Sequence, residues 1–227
     1  MAIAGKRLLG GSSQNLAMAL DPWNQSSAVL VRTALALPKT LHGPAEIISA
    51  LLGALNAKSP HTASHCLRVG EYARQLAAAL DMPEAQVDHV ERCGLLHDVG
   101  KLGVPEAVLD KSGRLTEEEW GLIKLHPIIG AAVLRGCPSL QPLVPAIAMH
   151  HERWDGEGYP YGARGMEIPV EARILTICDA FDTMTSERPY KRAMEADTAC
   201  FRLMEAKGSQ FEPELVDLFI EQVVKGR

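Results

Sequence analysis

From about Ala45 onward, apolar residues recur every three to four positions, the spacing of one face of a helix. Between Glu46 and Ala57 they fall at Ile47, Ile48, Leu51, Leu52 and Leu55. Ser59-Pro60 opens a second run, carrying Leu67, Val69, Tyr72, Ala73, Leu76 and Leu80 at the same period. Asp81-Met82-Pro83-Glu84 reads as a turn followed by a proline-started helix that runs to about His97. Thr116 and Glu119 have capping-box spacing ahead of Trp120, Leu122, Ile123 and Leu125. Further helices are expected over Leu143 to His150, Val170 to Thr185, Glu195 to Lys207 and Glu212 to Val224, joined by short turns. Strand-like alternation is nearly absent. The pattern predicts an all-α fold, a single helical domain over residues 44–227.

Residues 1–43 follow a different pattern. Glycine, serine and asparagine cluster early, and Pro22, Pro38, Gly43 and Pro44 break the apolar stretches. This irregular leader either packs on the body as one or two short helices or mediates association into a homodimer. No run approaches the ~18 apolar residues of a membrane span, and Arg32 interrupts the stretch from Ala28 to Leu37.

Composition narrows the class. Hydrophobic residues make up 47% of the 227-residue chain and charged residues 22%, the balance of a soluble globular protein. A net charge of −5 argues against a nucleic-acid polymer as partner, since that needs a basic surface. A phosphate substrate remains compatible, because a bound cation dominates the charge of its own site. The five cysteines (Cys66, Cys93, Cys137, Cys178 and Cys200) show no CxxC spacing, which points to free thiols in a reducing cytoplasm.

The candidate chemistry sits in histidines and aspartates at the ends or on the apolar faces of expected helices. His150-His151 closes an apolar segment and opens into Glu152-Arg153-Trp154-Asp155-Gly156-Glu157-Gly158-Tyr159-Pro160. His97-Asp98 ends the helix begun near Pro83, and Gly100-Lys101 follows it. His65 lies within a helix, and Asp179 on the apolar run from Ile174 to Ala180. His126 precedes Pro127, which disfavours helical geometry at the histidine itself. Each has a bland explanation as a core residue or a turn. Together they suit a mixed histidine and carboxylate site of the kind that holds iron, manganese or zinc. Asp182 is ambiguous, and orienting a ligand histidine is one role open to it.

Taken in order, His97-Asp98 with Gly100-Lys101, His126-Pro127, His150-His151-Glu152, Gly158-Tyr159-Pro160, Asp179, and Arg188-Pro189-Tyr190-Lys191 resemble the HD-GYP family. The resemblance covers roughly residues 58–215. It implies an all-α HD-domain fold and hydrolysis of cyclic di-GMP to linear pGpG, in some members on to GMP. It also implies a metal centre with His65, His97, Asp98, His126, His150, His151 and Asp179 as ligands, Asp98 bridging. Asp98 and Lys101 would be catalytic, and Lys101, Arg188 and Lys191 would contact phosphates. Tyr159 would line the pocket, and the Gly158-Tyr159-Pro160 loop would also recognise diguanylate cyclase domains. Members with a third metal carry glutamate where this chain has His61. The expectation is therefore two divalent ions, iron or manganese, with His61 beside them. The rival readings are an HD-fold hydrolase of another nucleotide and a non-catalytic cyclic di-GMP-binding module.

Overall fold

A computed structural model describes residues 43–187 and 192–226. Ten α-helices occur among them: α1 (Pro44–Lys58), α2 (Pro60–Ala79), α3 (Glu84–Leu96), α4 (Glu106–Leu109), α5 (Glu117–Lys124), α6 (His126–Arg135), α7 (Val144–Met149), α8 (Val170–Thr185), α9 (Ala196–Glu205) and α10 (Pro213–Leu218). Tight 3₁₀ turns follow α3 (Val99–Gly103) and precede α7 (Pro138–Leu143), and a wider helical turn, Phe219–Val224, extends α10. No strand forms among the described residues; their one isolated β-bridge joins Lys207 to Phe211.

Helix starts follow local chemistry. Ser59 caps α2 by accepting from the Thr62 N–H, with Pro60 in the first turn, where its missing donor costs nothing. Thr116 and Glu119 close the expected capping box on α5. The long α2 forms the spine, packed between α3 and α8, with α1 and the C-terminal turn against it. Small side chains let these helices approach: Cys66, Ala73, Ala77 and Cys93 are completely buried. Tyr72, Phe181 and Phe219 close one end of the core edge to face, with centroids 5.2–6.0 Å apart. All five cysteines are free thiols.

Two features differ from the sequence reading. Residues 126–135 form a helix that the apolar spacing did not reveal, and His126 is helical despite preceding proline. Pro127 lies in the first turn of α6, and Leu125 ahead of it is already helical (φ −80°, ψ −16°). Burial of His126, Ala131, Val133 and Leu134 outweighs the local pre-proline preference. The connection from α7 to α8 is also long instead of short. It is tied to the C-terminal segment by Trp154 N–H donating to the Gln210 carbonyl and Asp155 N–H to that of Ser209.

The leader, expected over residues 1–43, lies outside the described residues apart from Gly43. Among the described residues, no helix is long and apolar enough to cross a membrane.

Candidate metal centre

Three helices and the ends of two more converge on one buried cluster. α2 supplies His65, the end of α3 supplies His97 and Asp98, α6 begins with His126, and α8 supplies Asp179. His150 and His151 follow directly on α7. All seven expected ligands come together. His65, His97 and Asp98 offer ligand atoms that lie within 4.8 Å of one another, and so do His126, His150 and His151.

Asp98 joins the two groups. Its Oδ2 lies 3.4 Å from His97 Nε2 and 3.7 Å from His65 Nε2, while Oδ1 lies 3.2 Å from His126 Nε2. Asp179 Oδ1 stands 3.1 Å from His65 Nε2 and also accepts from the Thr183 hydroxyl.

Proton placement shows that the cluster suits a metal. His97, His126 and His150 each present Nδ1 to a backbone carbonyl 2.7 Å away, those of Gly94, Ile123 and Ile147. A carbonyl only accepts, so Nδ1 carries the proton, and in the neutral ring Nε2 offers a lone pair. Burial pushes His126 down to about 3 and His150 well below the usual histidine range, so both rings stay neutral. Their Nε2 atoms nevertheless face each other at 3.1 Å. Two lone pairs at that distance repel unless a cation lies against both, and a metal ion meets that need. Burial likewise lowers His151.

The carboxylates are held charged. Burial opposes ionisation of Asp98, but the Lys101 ammonium 2.6 Å away, with His97, holds it well below the usual carboxylate range. Asp179 is held low in the same sense: burial opposes its charge, but the His65 hydrogen bond together with the charges of the surrounding histidines prevails. At His97 burial opposes the charged ring, but the charge and hydrogen bond of Asp98, with Cys66 beside it, together raise it well above its ordinary value. A metal ion at its Nε2 would displace that proton.

Tyr159 stacks on His151, with centroids 4.9 Å apart and planes 25° from parallel, and the Lys124 ammonium lies 5.5 Å from the Tyr159 centroid. The loop is pinned by Glu152, whose Oε1 accepts from the Tyr161 N–H at 2.6 Å. Gly158 crosses so close that an added Cβ would lie 2.4 Å from the Arg153 nitrogen. His61 reaches the Glu187 carbonyl at 3.2 Å. Arg188 and Lys191 lie outside the described residues.

Two contributors carried no assignment from sequence. Glu152 stood in the signature run without a role, yet it is only 1% exposed and holds the loop. Arg68 was missed altogether; its spacing of three residues from His65 on one helix was the available signal. Asp182 resolves in favour of orienting a histidine, with Oδ2 2.7 Å from His65 Nδ1.

A family model described as HD domain matches residues 50–215. The chain is 37% identical over 178 residues to a 3'3'-cGAMP-specific phosphodiesterase of Vibrio cholerae, covering 78% of this chain and 34% of that protein. It is 38% identical over 170 residues to a cyclic di-GMP phosphodiesterase of Pseudomonas aeruginosa, covering 74% of this chain and 41% of the relative. The chain thus spans well under half the length of these relatives. Among solved structures, an HDG"Y"P protein from Bdellovibrio bacteriovorus superposes with a TM-score of 0.62 at 17% identity, covering 96% of this chain and 75% of that one. The chain belongs to the HD domain family, whose phosphohydrolases are metal-dependent, and its motifs and relatives set it on the HD-GYP branch.

Proposed function

We propose that this chain is a phosphodiesterase that opens cyclic di-GMP to linear pGpG in the cytoplasm, ending a second-messenger signal. The observation that carries this reading is the pair of ligand groups joined by Asp98, with Lys101 beside them. In this reading His65, His97, Asp98 and Asp179 hold one divalent ion, and His126, His150, His151 and Asp98 the other. Iron or manganese suits such a mixed imidazole and carboxylate set. Two ions bound there would supply Lewis acidity to the phosphodiester and to the attacking water. His61 supports a count of two: it occupies the third-metal position with an imidazole that already contacts the Glu187 carbonyl.

Lys101 is assigned to the substrate in this reading. Its side chain is 24% exposed while its ammonium is held on Asp98, so it can neutralise charge growing on non-bridging phosphate oxygens. Tyr159 would wall the pocket beside His151. Arg188 and Lys191 are assigned to the phosphates by resemblance to the family, where an arginine can fork across two oxygens. The Gly158-Tyr159-Pro160 loop, with the exposed Tyr161 next to it, is the proposed contact for diguanylate cyclase domains.

Lys101→Ala is expected to lower turnover roughly 10²–10³-fold with most metal retained, as loss of one charge-stabilising group does. Elemental analysis beside the rate assay checks this; equal loss of metal would make Lys101 a structural support.

A second substrate, 3'3'-cGAMP, is favoured by the name of the Vibrio cholerae relative. Incubating the metal-loaded protein separately with cyclic di-GMP and 3'3'-cGAMP, and identifying products by chromatography, decides between them. Cyclic di-GMP consumed first, with pGpG appearing, is the expected result. Preference for 3'3'-cGAMP would move the assignment to the hybrid dinucleotide, and binding without turnover would make the chain a receptor.

A further inference from the structure

One of the buried histidines is oriented differently from the others. His97, His126 and His150 each use the carbonyl three residues back, a group that helix ends leave available. His65 lies inside α2, where the preceding carbonyls are engaged by the helix itself. Its Nδ1 turns instead to a neighbouring helix and meets Asp182 Oδ2 at 2.7 Å. Asp182 is 1% exposed, and a buried carboxylate needs more than one neutral donor to hold its charge and its orientation.

Arg68 supplies what is missing. Its Nε donates to Asp182 Oδ1 at 2.6 Å and its Nη2 to Oδ2 at 3.0 Å, a two-point fork that fixes the plane of the carboxylate. The Ser186 hydroxyl adds a third donor to Oδ1 at 3.1 Å. Arg68 sits three residues after His65, so both side chains leave the same face of α2 and cross to α8 together. The carboxylate is therefore clamped from behind while it aims the ligand ring from the front.

The geometry points to Arg68 as a positioning residue for one metal ion only, the one on the His65 side of Asp98. It acts through Asp182 and His65. On the other side, His126 and His150 are oriented by backbone carbonyls that an Arg68 substitution leaves in place. This inference rests on the metal-centre reading above and adds an asymmetry to it: one ion depends on a side-chain relay reaching a partly exposed guanidinium, and the other does not.

The test is a Mn²⁺ titration of the metal-free full chain, followed by electron paramagnetic resonance. Wild type is expected to take two ions. Arg68→Ala is expected to weaken one binding event by about 10–100-fold, the usual effect of removing a residue that orients a ligand, and to leave the other unchanged. Arg68→Lys keeps the charge but cannot fork, so it should fall between the two. Thermal unfolding of the metal-free proteins provides the readout that a merely structural role would move. Two wild-type-like affinities in Arg68→Ala would overturn the inference. So would equal weakening of both ions together with a lowered metal-free melting temperature. A wild-type chain that takes up no Mn²⁺ would overturn the metal centre itself, and this assignment with it.

Discussion

Replacing Asp98 with alanine is expected to abolish phosphodiester hydrolysis and to remove most of the bound metal. Asp98 turns one oxygen toward each histidine group, so its loss separates the two proposed ion sites. It also strips Lys101 of the anion 2.6 Å away and leaves a cation beside an imidazole cluster, which opposes any remaining ion. Asp98→Asn is the informative companion. It keeps the shape and one acceptor oxygen but loses the charge, so metal retention should be partial and turnover still lost. Metal content per chain, measured with the hydrolysis rate on the same preparations, checks both variants. Full metal and full rate in Asp98→Ala would remove this residue from the centre.

The second large effect is on stability. Gly100→Ala is expected to destabilise the fold at or beyond the upper end of the ~1–3 kcal/mol typical of overpacking. A Cβ at residue 100 would lie 1.8 Å from the His126 carbonyl oxygen and 2.6 Å from the Gly130 nitrogen, and both of these are backbone atoms. No side-chain rotation relieves either contact. The turn carrying Lys101 would have to lift off α6, drawing Asp98 away from His126. A denaturant melt measures the loss; an unchanged midpoint would show that the turn and α6 are not packed as described. Lys58 opposes such lifting from the other side, donating to the Leu102 and Val104 carbonyls at 2.7 and 2.6 Å.

Much of this was legible in the chain because periodicity and capping are local signals. The apolar spacing located α1, α2, α3 and α8 closely, and the Thr116–Glu119 box gave the start of α5. The helix at residues 126–135 escaped because its initiating histidine precedes a proline, a local preference against helix that tertiary burial reverses. The seven proposed ligands were legible only through order along the chain. Spacing could not bring α2, α3, α6, α7 and α8 to one point, and each residue taken alone fitted an ordinary core or turn position.

Arg68 and Glu152 escaped for a different reason. Their roles are to hold other polar groups, and such roles exist only once helices distant in sequence have met. Arg68 meets Asp182 across 114 residues of chain. Glu152 meets the Tyr161 N–H through a loop whose path depends on Gly158 lying against the backbone of residues 152 and 153.

The proposed requirement for hydrolysis is two divalent ions, which the residues around Asp98 would hold. It is tested most directly by stripping the protein with a chelator under anaerobic conditions and following cyclic di-GMP hydrolysis as Fe²⁺ or Mn²⁺ is returned in counted equivalents. The expected rate is negligible without metal and rises to a plateau at two equivalents per chain. Undiminished hydrolysis by the stripped protein would contradict the claim.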